Sequence, residues 1–385
     1  MTDIHEFDDI RPFLPEELPE VYDSLLADER FQGVVRMLRP DVPMEQMAAV
    51  IRSCRTNQEF QARLIYPLLQ EILAKASTGL TADFANVHGN GCTFVSNHRD
   101  IVLDSALLDV LLLDHGLDTV EIAIGDNLLV YPWIKDLVRV NRSFIVQRAL
   151  TMRQMLMASA KMSRYMHYVI AEKKSNLWIA QREGRAKDSN DRTQESVLKM
   201  IAMGGSKDLI ASLKEMNIVP LAISYEFDPC DYLKAEEFQN KRDIEGFKKT
   251  QQDDLDNMKI GIFGYKGHIH YHAAPCINDW LDTLDPAMPK TDVFRLVAEH
   301  IDHEIHCHYR IYPGNRAAMQ LLGGNAPADG QLLATADEIA QFEGYLQKKM
   351  QMMTIENPDT AFLRERMLTM YANPAINQLN AKGNL

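Results

Sequence analysis

An alternation of short apolar runs with helical periodicity is the feature that most restricts what this chain can fold into. The runs are Cys92–Ser96, Val120–Ile124, Ser143–Gln147, Leu177–Gln181 and Ile218–Ser224, with a further strand candidate near Lys259–His272. Between them lie Ile101–Leu113, Leu150–Glu172 and Gln194–Glu215, each carrying apolar residues at helical spacing. Strand and helix in alternation predict an α/β layered fold whose central sheet is mostly parallel, because a helix carries the chain back between strands of the same direction.

The two ends read differently. Residues 15–80 are helical in pattern, with Ile65, Leu68, Leu69, Ile72 and Leu73 on one face, closing near a loop at Gly79 and the turn His88–Gly91. After Pro313 the pattern changes again. Gly323–Gly330 (GGNAPADG) signals a loop, and two polar helices are expected over roughly 335–353 and 358–371. The expected organisation is therefore a helical region over 1–84, a catalytic domain over 85–320 and a helical extension over 321–385.

At 385 residues, 46% hydrophobic and 25% charged, the chain can bury a large core. A formal charge of -13 disfavours general adhesion to nucleic acid or anionic lipid, so an anion site must be built from a local cluster of Arg and Lys. The five cysteines are scattered and form no CxxC pair, which predicts a reduced, cytoplasmic setting. The acidic start MTDIHEFDDIRPF predicts no secretory leader, and no uncharged apolar stretch approaches the roughly 20 residues a membrane span needs.

The chemistry concentrates at strand ends. In VSNHRDIVLDSALL (95–108) the first strand gives way to a helix at His98, with Asp100 and Asp104 close after it. Imidazole moves protons well near neutral pH, and a fixed carboxylate can orient it and support its charged form. Either Asp100 or Asp104 could be that carboxylate. Arg139, Arg142 and Arg148 bracket the strand in RVNRSFIVQR, and Leu177–Gln181 runs into Arg182, Glu183, Gly184, Arg185 and Lys187. Arg148, Arg185 and Lys187 offer donors for a phosphate, and Gly184 allows close backbone approach. The fourth segment, IVPLAISYEFDP, is a strand that opens on Pro220 and ends in Tyr225 and Glu226. A base beside phosphate-holding cations points to a phosphorylated substrate with a reactive hydroxyl.

This order of segments resembles the glycerolipid acyltransferase family, which includes glycerol-3-phosphate and lysophosphatidate acyltransferases. Asn97, His98 and a following Asp resemble its NHxxxxD motif, and Arg142–Arg148 resembles its apolar run ending in FIRR. Glu183-Gly184-Arg185 resembles EGxRS, and Val219–Glu226 its proline-led strand. The chain departs from the family in having five residues between His98 and Asp104, in EGR for EGxR, and in Gln147 for an arginine. The resemblance implies a glycerol-3-phosphate acyltransferase-like α/β fold and direct acyl transfer. The base would be His98 with Asp104 or Asp100, and Arg142, Arg148, Glu183, Gly184, Arg185, Lys187 and Pro220 would lie around the substrate. It further implies acyl-CoA or acyl carrier protein as co-substrate with no metal or other cofactor, a phosphorylated glycerol or lysolipid acceptor, and peripheral attachment to a membrane surface.

Other readings carry less. His98-Arg99-Asp100 mimics a kinase catalytic loop, but position 105 is Ser where that loop needs Asn. Seven of the twelve histidines fall between His268 and His308, a pattern that invites a metal, yet an edge strand explains His268, His270 and His272 as well. Met155, Met162 and Met166 sit at helical spacing, as a core face does, and would also suit an acyl-chain tunnel. A noncatalytic lipid-binding protein that keeps the acyltransferase fold is the rival from another class.

Overall fold

The apolar runs pair into one sheet. The computed structural model describes residues 2–148, 151–323 and 333–383. Its strands are β1 (Gly79–Asp83), β2 (Thr93–Ser96), β3 (Val120–Gly125), β4 (Ser143–Val146), β5 (Asn176–Ala180), β6 (Ile218–Tyr225) and β7 (His268–Ala273). They lie in the order β1-β7-β6-β2-β5-β3-β4. All neighbours are parallel except β6 and β7. The chain thus adopts the expected α/β architecture, a largely parallel sheet flanked by helical regions.

Period-two alternation divides the strand residues between two cores. Val95, Leu177, Ile179, Ile218 and Ala222 face one layer with Met166, Val169 and Ile301. Phe94, Trp178, Val219, Leu221 and Ile223 face the other, against Leu107, Leu108 and Leu111 of helix Leu103–Asp114. That helix is buried almost all round, its leucines on every side and Asp104, Ser105 and Asp109 buried with them. All eight residues of β6 are buried, as expected for a strand covered on both faces. Pro220 stands just beyond the last β6–β7 pair, Leu221 with Ala273, so its missing N–H costs no rung with β7.

The described helical regions have cores of their own. Leu18, Tyr22, Leu25, Phe31 and Phe60 pack together at the N-terminal end. Phe342, Leu346, Leu363, Met367 and Tyr371 do so at the other.

Several expectations need correction. Residues 79–83, read as a loop, form β1. Lys259–Phe263, read as part of a strand, ends the helix Gln251–Phe263, which opens with a capping box between Thr250 and Asp253. The stretch Gln194–Glu215 divides into Glu195–Ala202 and Leu209–Glu215. In the turn between them a Cβ at Gly204 would lie 2.5 Å from the backbone of Ser163 and Arg164, so only glycine lets the turn sit this close to the helix Met152–Ala171. The last helix runs on to Ala381, around Pro374. The expected loop Gly323–Gly330, apart from Gly323, and Leu150 lie outside the described residues.

Candidate active site

Because β2 to β6 run the same way, their carboxyl ends share one edge, and the crevice beyond such an edge is where open α/β sheets hold ligands. His98 leaves β2 there. The preceding Asn97 is fully buried and pairs with β6 as a strand residue would: its Nδ2 donates to the Ile223 carbonyl at 2.9 Å, and its Oδ1 accepts the Ile223 N–H at 2.8 Å. This fixes the direction in which the turn departs.

His98 Nδ1 lies 2.7 Å from Asp104 Oδ2. Asp104 is fully buried in the first turn of helix Leu103–Asp114, where the helix dipole favours a carboxylate. The same oxygen accepts the backbone N–H of Arg99 at 2.6 Å and of Asp100 at 3.1 Å. With Nδ1–H donated to Asp104, Nε2 keeps the lone pair. The Trp178 ring meets the imidazole edge-on at 5.7 Å, and its Nε1 donates to Ser96 Oγ at 3.0 Å. Asp100 does other work. Its Oδ1 accepts the N–H of Val102 at 2.9 Å and of Leu103 at 2.8 Å, bonding that suits a helix start. Burial, and then the charge of Asp104, push its carboxyl upward.

The residue between them anchors the turn. Arg99 forms a buried two-point pair with Asp191, 2.6 Å for Nη2–Oδ2 and 3.2 Å for Nη1–Oδ1. Tyr309 donates to Asp191 at 2.5 Å, and Lys234 reaches the Arg99 carbonyl at 3.4 Å. Sequence reasoning missed Arg99, Asp191 and Tyr309. Only the place of Arg99 inside the His–Asp segment hinted at it, since the other two come from segments with no motif.

The remaining predicted residues divide by location. Arg148 and Glu183 meet at 3.3 Å beyond β4 and β5, and Gly125 at the end of β3 leaves room for the guanidinium, since a Cβ there would stand 2.8 Å from Arg148 Nε. Gly184 takes φ +66°, a left-handed conformation that suits glycine. Arg185 Nη2 lies 3.2 Å from Asn257 Oδ1, and Lys187 pairs with Glu237. Arg142 is not brought to this edge. It precedes β4, at the opposite end of the sheet, where it is buried against Thr119 Oγ1 (2.8 Å) and Ser175 Oγ. Pro220 is held in register with Val95, inside the sheet.

A cavity of about 290 Å³ opens at the same edge, lined by Ile145, Met155, Met162 and Ile179 and reaching Arg148 and Glu183. It also touches Ala180, the register partner of Ser96, so it ends one strand away from the His98 turn. Of the three methionines, Met155 and Met162 line this space and Met166 is buried in the core. The histidines of β7 bond to Thr81, Tyr312 and Asp83, and among the described residues no group of three or more His, Cys, Asp or Glu side chains is arranged to hold a metal ion.

The fold and this edge define an α/β protein with a histidine–carboxylate pair at the end of a parallel strand. Residues 81–224 match the family model for acyltransferases, so this part of the chain is an acyltransferase-family domain. It runs from β1 into β6 and includes His98, Asp104, Arg148, Arg185 and Pro220. No curated protein matches the chain.

Proposed function

We propose that the chain is an O-acyltransferase of glycerophospholipid synthesis that uses His98 as its general base. The observation that carries this reading is the 2.7 Å contact between His98 Nδ1 and a buried carboxylate that two backbone N–H groups hold in place. The acceptor hydroxyl gives its proton to His98 Nε2 as its oxygen attacks the carbonyl carbon of an acyl thioester. The C–S bond then breaks, and the departing sulfur takes the proton back from the imidazolium as the free thiol. Asp104 keeps the tautomer and steadies the cation formed in between.

The donor is acyl-CoA or acyl carrier protein, and the acceptor is glycerol 3-phosphate or lysophosphatidate. Arg148, Arg185 and Lys187, on the loops that follow β4 and β5, suit its phosphate. Arg142, at the far end of the sheet, has no part in this reading. The apolar cavity beside Ala180 suits the acyl chain. No helix among the described residues is long and apolar enough to cross a membrane, and the proposed attachment to the cytoplasmic face is peripheral.

The test is thiol release from palmitoyl-CoA and palmitoyl-acyl carrier protein with a panel of acceptors, for the wild type and His98→Ala. Acceptor-dependent release that falls by about 10²–10⁴-fold in the variant is expected. Absence of release from folded wild-type protein with every donor–acceptor pair would sink the proposal and favour a noncatalytic lipid binder.

A further inference from the structure

Asp104 is held through a single oxygen. Its Oδ2 accepts three donors: His98 Nδ1 at 2.7 Å, and the backbone N–H groups of Arg99 at 2.6 Å and Asp100 at 3.1 Å. Its Oδ1 is buried and has no hydrogen-bond partner among the described residues. The carboxylate therefore stays aimed at the imidazole only while the turn presents those two amides correctly. A hydrogen bond weakens steeply as its angle bends, so a small shift of the turn would loosen the pair.

Arg99 is gripped from three other parts of the fold. Its Nη2 and Nη1 donate at 2.6 and 3.2 Å to Asp191, on the loop between β5 and helix Glu195–Ala202. Lys234 Nζ, on helix Asp231–Asp243, donates to the Arg99 carbonyl at 3.4 Å and pairs with Asp228. Tyr309, just beyond helix Lys290–Cys307, donates to Asp191 at 2.5 Å, and its ring centroid lies 5.7 Å from the Arg99 guanidinium. His306 Nε2 meets the Asp191 backbone carbonyl at 2.9 Å. Arg99, Asp191, Lys234 and Tyr309 are all buried. With both terminal nitrogens spent on Asp191, the Arg99 guanidinium is not placed to grip a substrate. A buried ion pair is a costly way to add stability, because both charges leave water, but a two-point arginine–carboxylate pair fixes direction well. Lys234 and Tyr309 lie outside the stretch that matches the family model.

We infer that Arg99, Asp191 and Lys234 are positioning residues for the His98–Asp104 pair. They fix the Arg99 backbone so that its N–H holds Asp104 Oδ2 against His98 Nδ1, and the imidazole keeps its lone pair on Nε2. The consequence for rate rests on the acyl-transfer reading; the consequence for the imidazole tautomer does not.

Two readouts on the full chain test it. One is steady-state kinetics with palmitoyl-CoA and the acceptor that the wild type uses. The other is the ring-nitrogen NMR spectrum of histidine-labelled protein, in which the His98 signals are those that vanish in His98→Ala. The spectrum is taken above the pH range in which imidazole gains a proton, so that it reports the neutral tautomer. His98 of the wild type should carry its proton on Nδ1. Asp191→Asn should lower kcat by about 10–100-fold with both KM values unchanged, and should give a mixture of tautomers at His98. The double variant Arg99→Met/Asp191→Leu removes the pair without leaving a buried charge alone, so it serves if the single variant fails to fold. It should show the same two changes. Tyr309→Phe, which keeps the ion pair, should show a smaller change in the same direction. A folded Asp191→Asn or double variant with wild-type kcat and tautomer overturns the inference. So does a fall in kcat with the tautomer unchanged, or a wild type whose His98 carries its proton on Nε2. Wild-type protein without acyl transfer would remove the acyl-transfer reading, and the tautomer comparison would then decide the inference alone.

Discussion

At His98 the choice between two carboxylates is decided by bonding. Asp104 turns one oxygen to Nδ1 and to two backbone N–H groups, whereas Asp100 spends its oxygen on the first N–H groups beside helix Leu103–Asp114. Asp104→Asn is therefore expected to lower kcat by about 10²–10⁴-fold with a small change in KM. Asp100→Asn, which keeps an acceptor for the same N–H groups, should retain most of the activity. Steady-state kinetics on the two proteins side by side checks this, and equal losses would contradict it. Arg142 gives a complementary case. Its guanidinium satisfies Thr119 and Ser175 at the far end of the sheet, so Arg142→Leu should cost about 2–4 kcal/mol of stability while the acceptor KM stays put. Urea unfolding and acceptor titration separate the two effects.

Strand β7 brings a different kind of charge into the sheet. His268 bonds Tyr312 at 2.8 Å, His270 bonds Thr81 at 2.8 Å, and the His272 ring stacks on His308 with centroids 4.0 Å apart. Burial is the main cause that lowers all three, helped by Arg310 at His268 and His270 and by His308 at His272; His270 falls to about 4. A folded-state value below the unfolded one near 6.5 means that the unfolded chain binds protons first on acidification. Stability from this strand is thus fully present above about pH 6.5 and declines as the pH falls from there toward 4. The urea midpoint should be lower at pH 5 than at pH 7.5, and His270→Gln should shrink the difference. A midpoint unchanged between the two pH values would refute the argument.

Across the whole molecule, the C-terminal helix supports the site edge from a distance. Tyr371 on helix Thr360–Ala381 donates to Asp231 at 2.8 Å, and Gln378 bonds the Tyr309 carbonyl at 2.6 Å. Tyr309 holds Asp191, and Asp191 holds Arg99 in the His98 turn. A chain ending at residue 320 would lose this support and expose Ala317, Ala318 and Met319, which the C-terminal helices cover. It is expected to be insoluble or to unfold several degrees lower, as differential scanning calorimetry would show. Soluble, fully active protein from that truncation would mean that the extension is dispensable.

The alternation of apolar runs and helical stretches determined the sheet, because buried parallel strands demand continuous apolar sequence and helices must return the chain between them. It also placed His98, Arg148 and Arg185 at strand ends, since side chains just after parallel strands share one edge. Some elements were illegible for local reasons. GLTAD (Gly79–Asp83) carries little apolar pattern and becomes β1 only by pairing with β7, and the need for glycine at 204 comes from a backbone neighbour forty residues away in sequence. Sequence spacing favoured Asp104 as the partner of His98 but left Asp100 as an alternative, and it placed Arg142 beside the other cations. Only the tertiary structure separated them, because a hydrogen bond depends on direction and on which end of a strand a residue occupies, and neither is written in the order of residues. The same holds for Arg99, Asp191 and Tyr309, far apart in sequence and brought into one hydrogen-bonded network only by the fold.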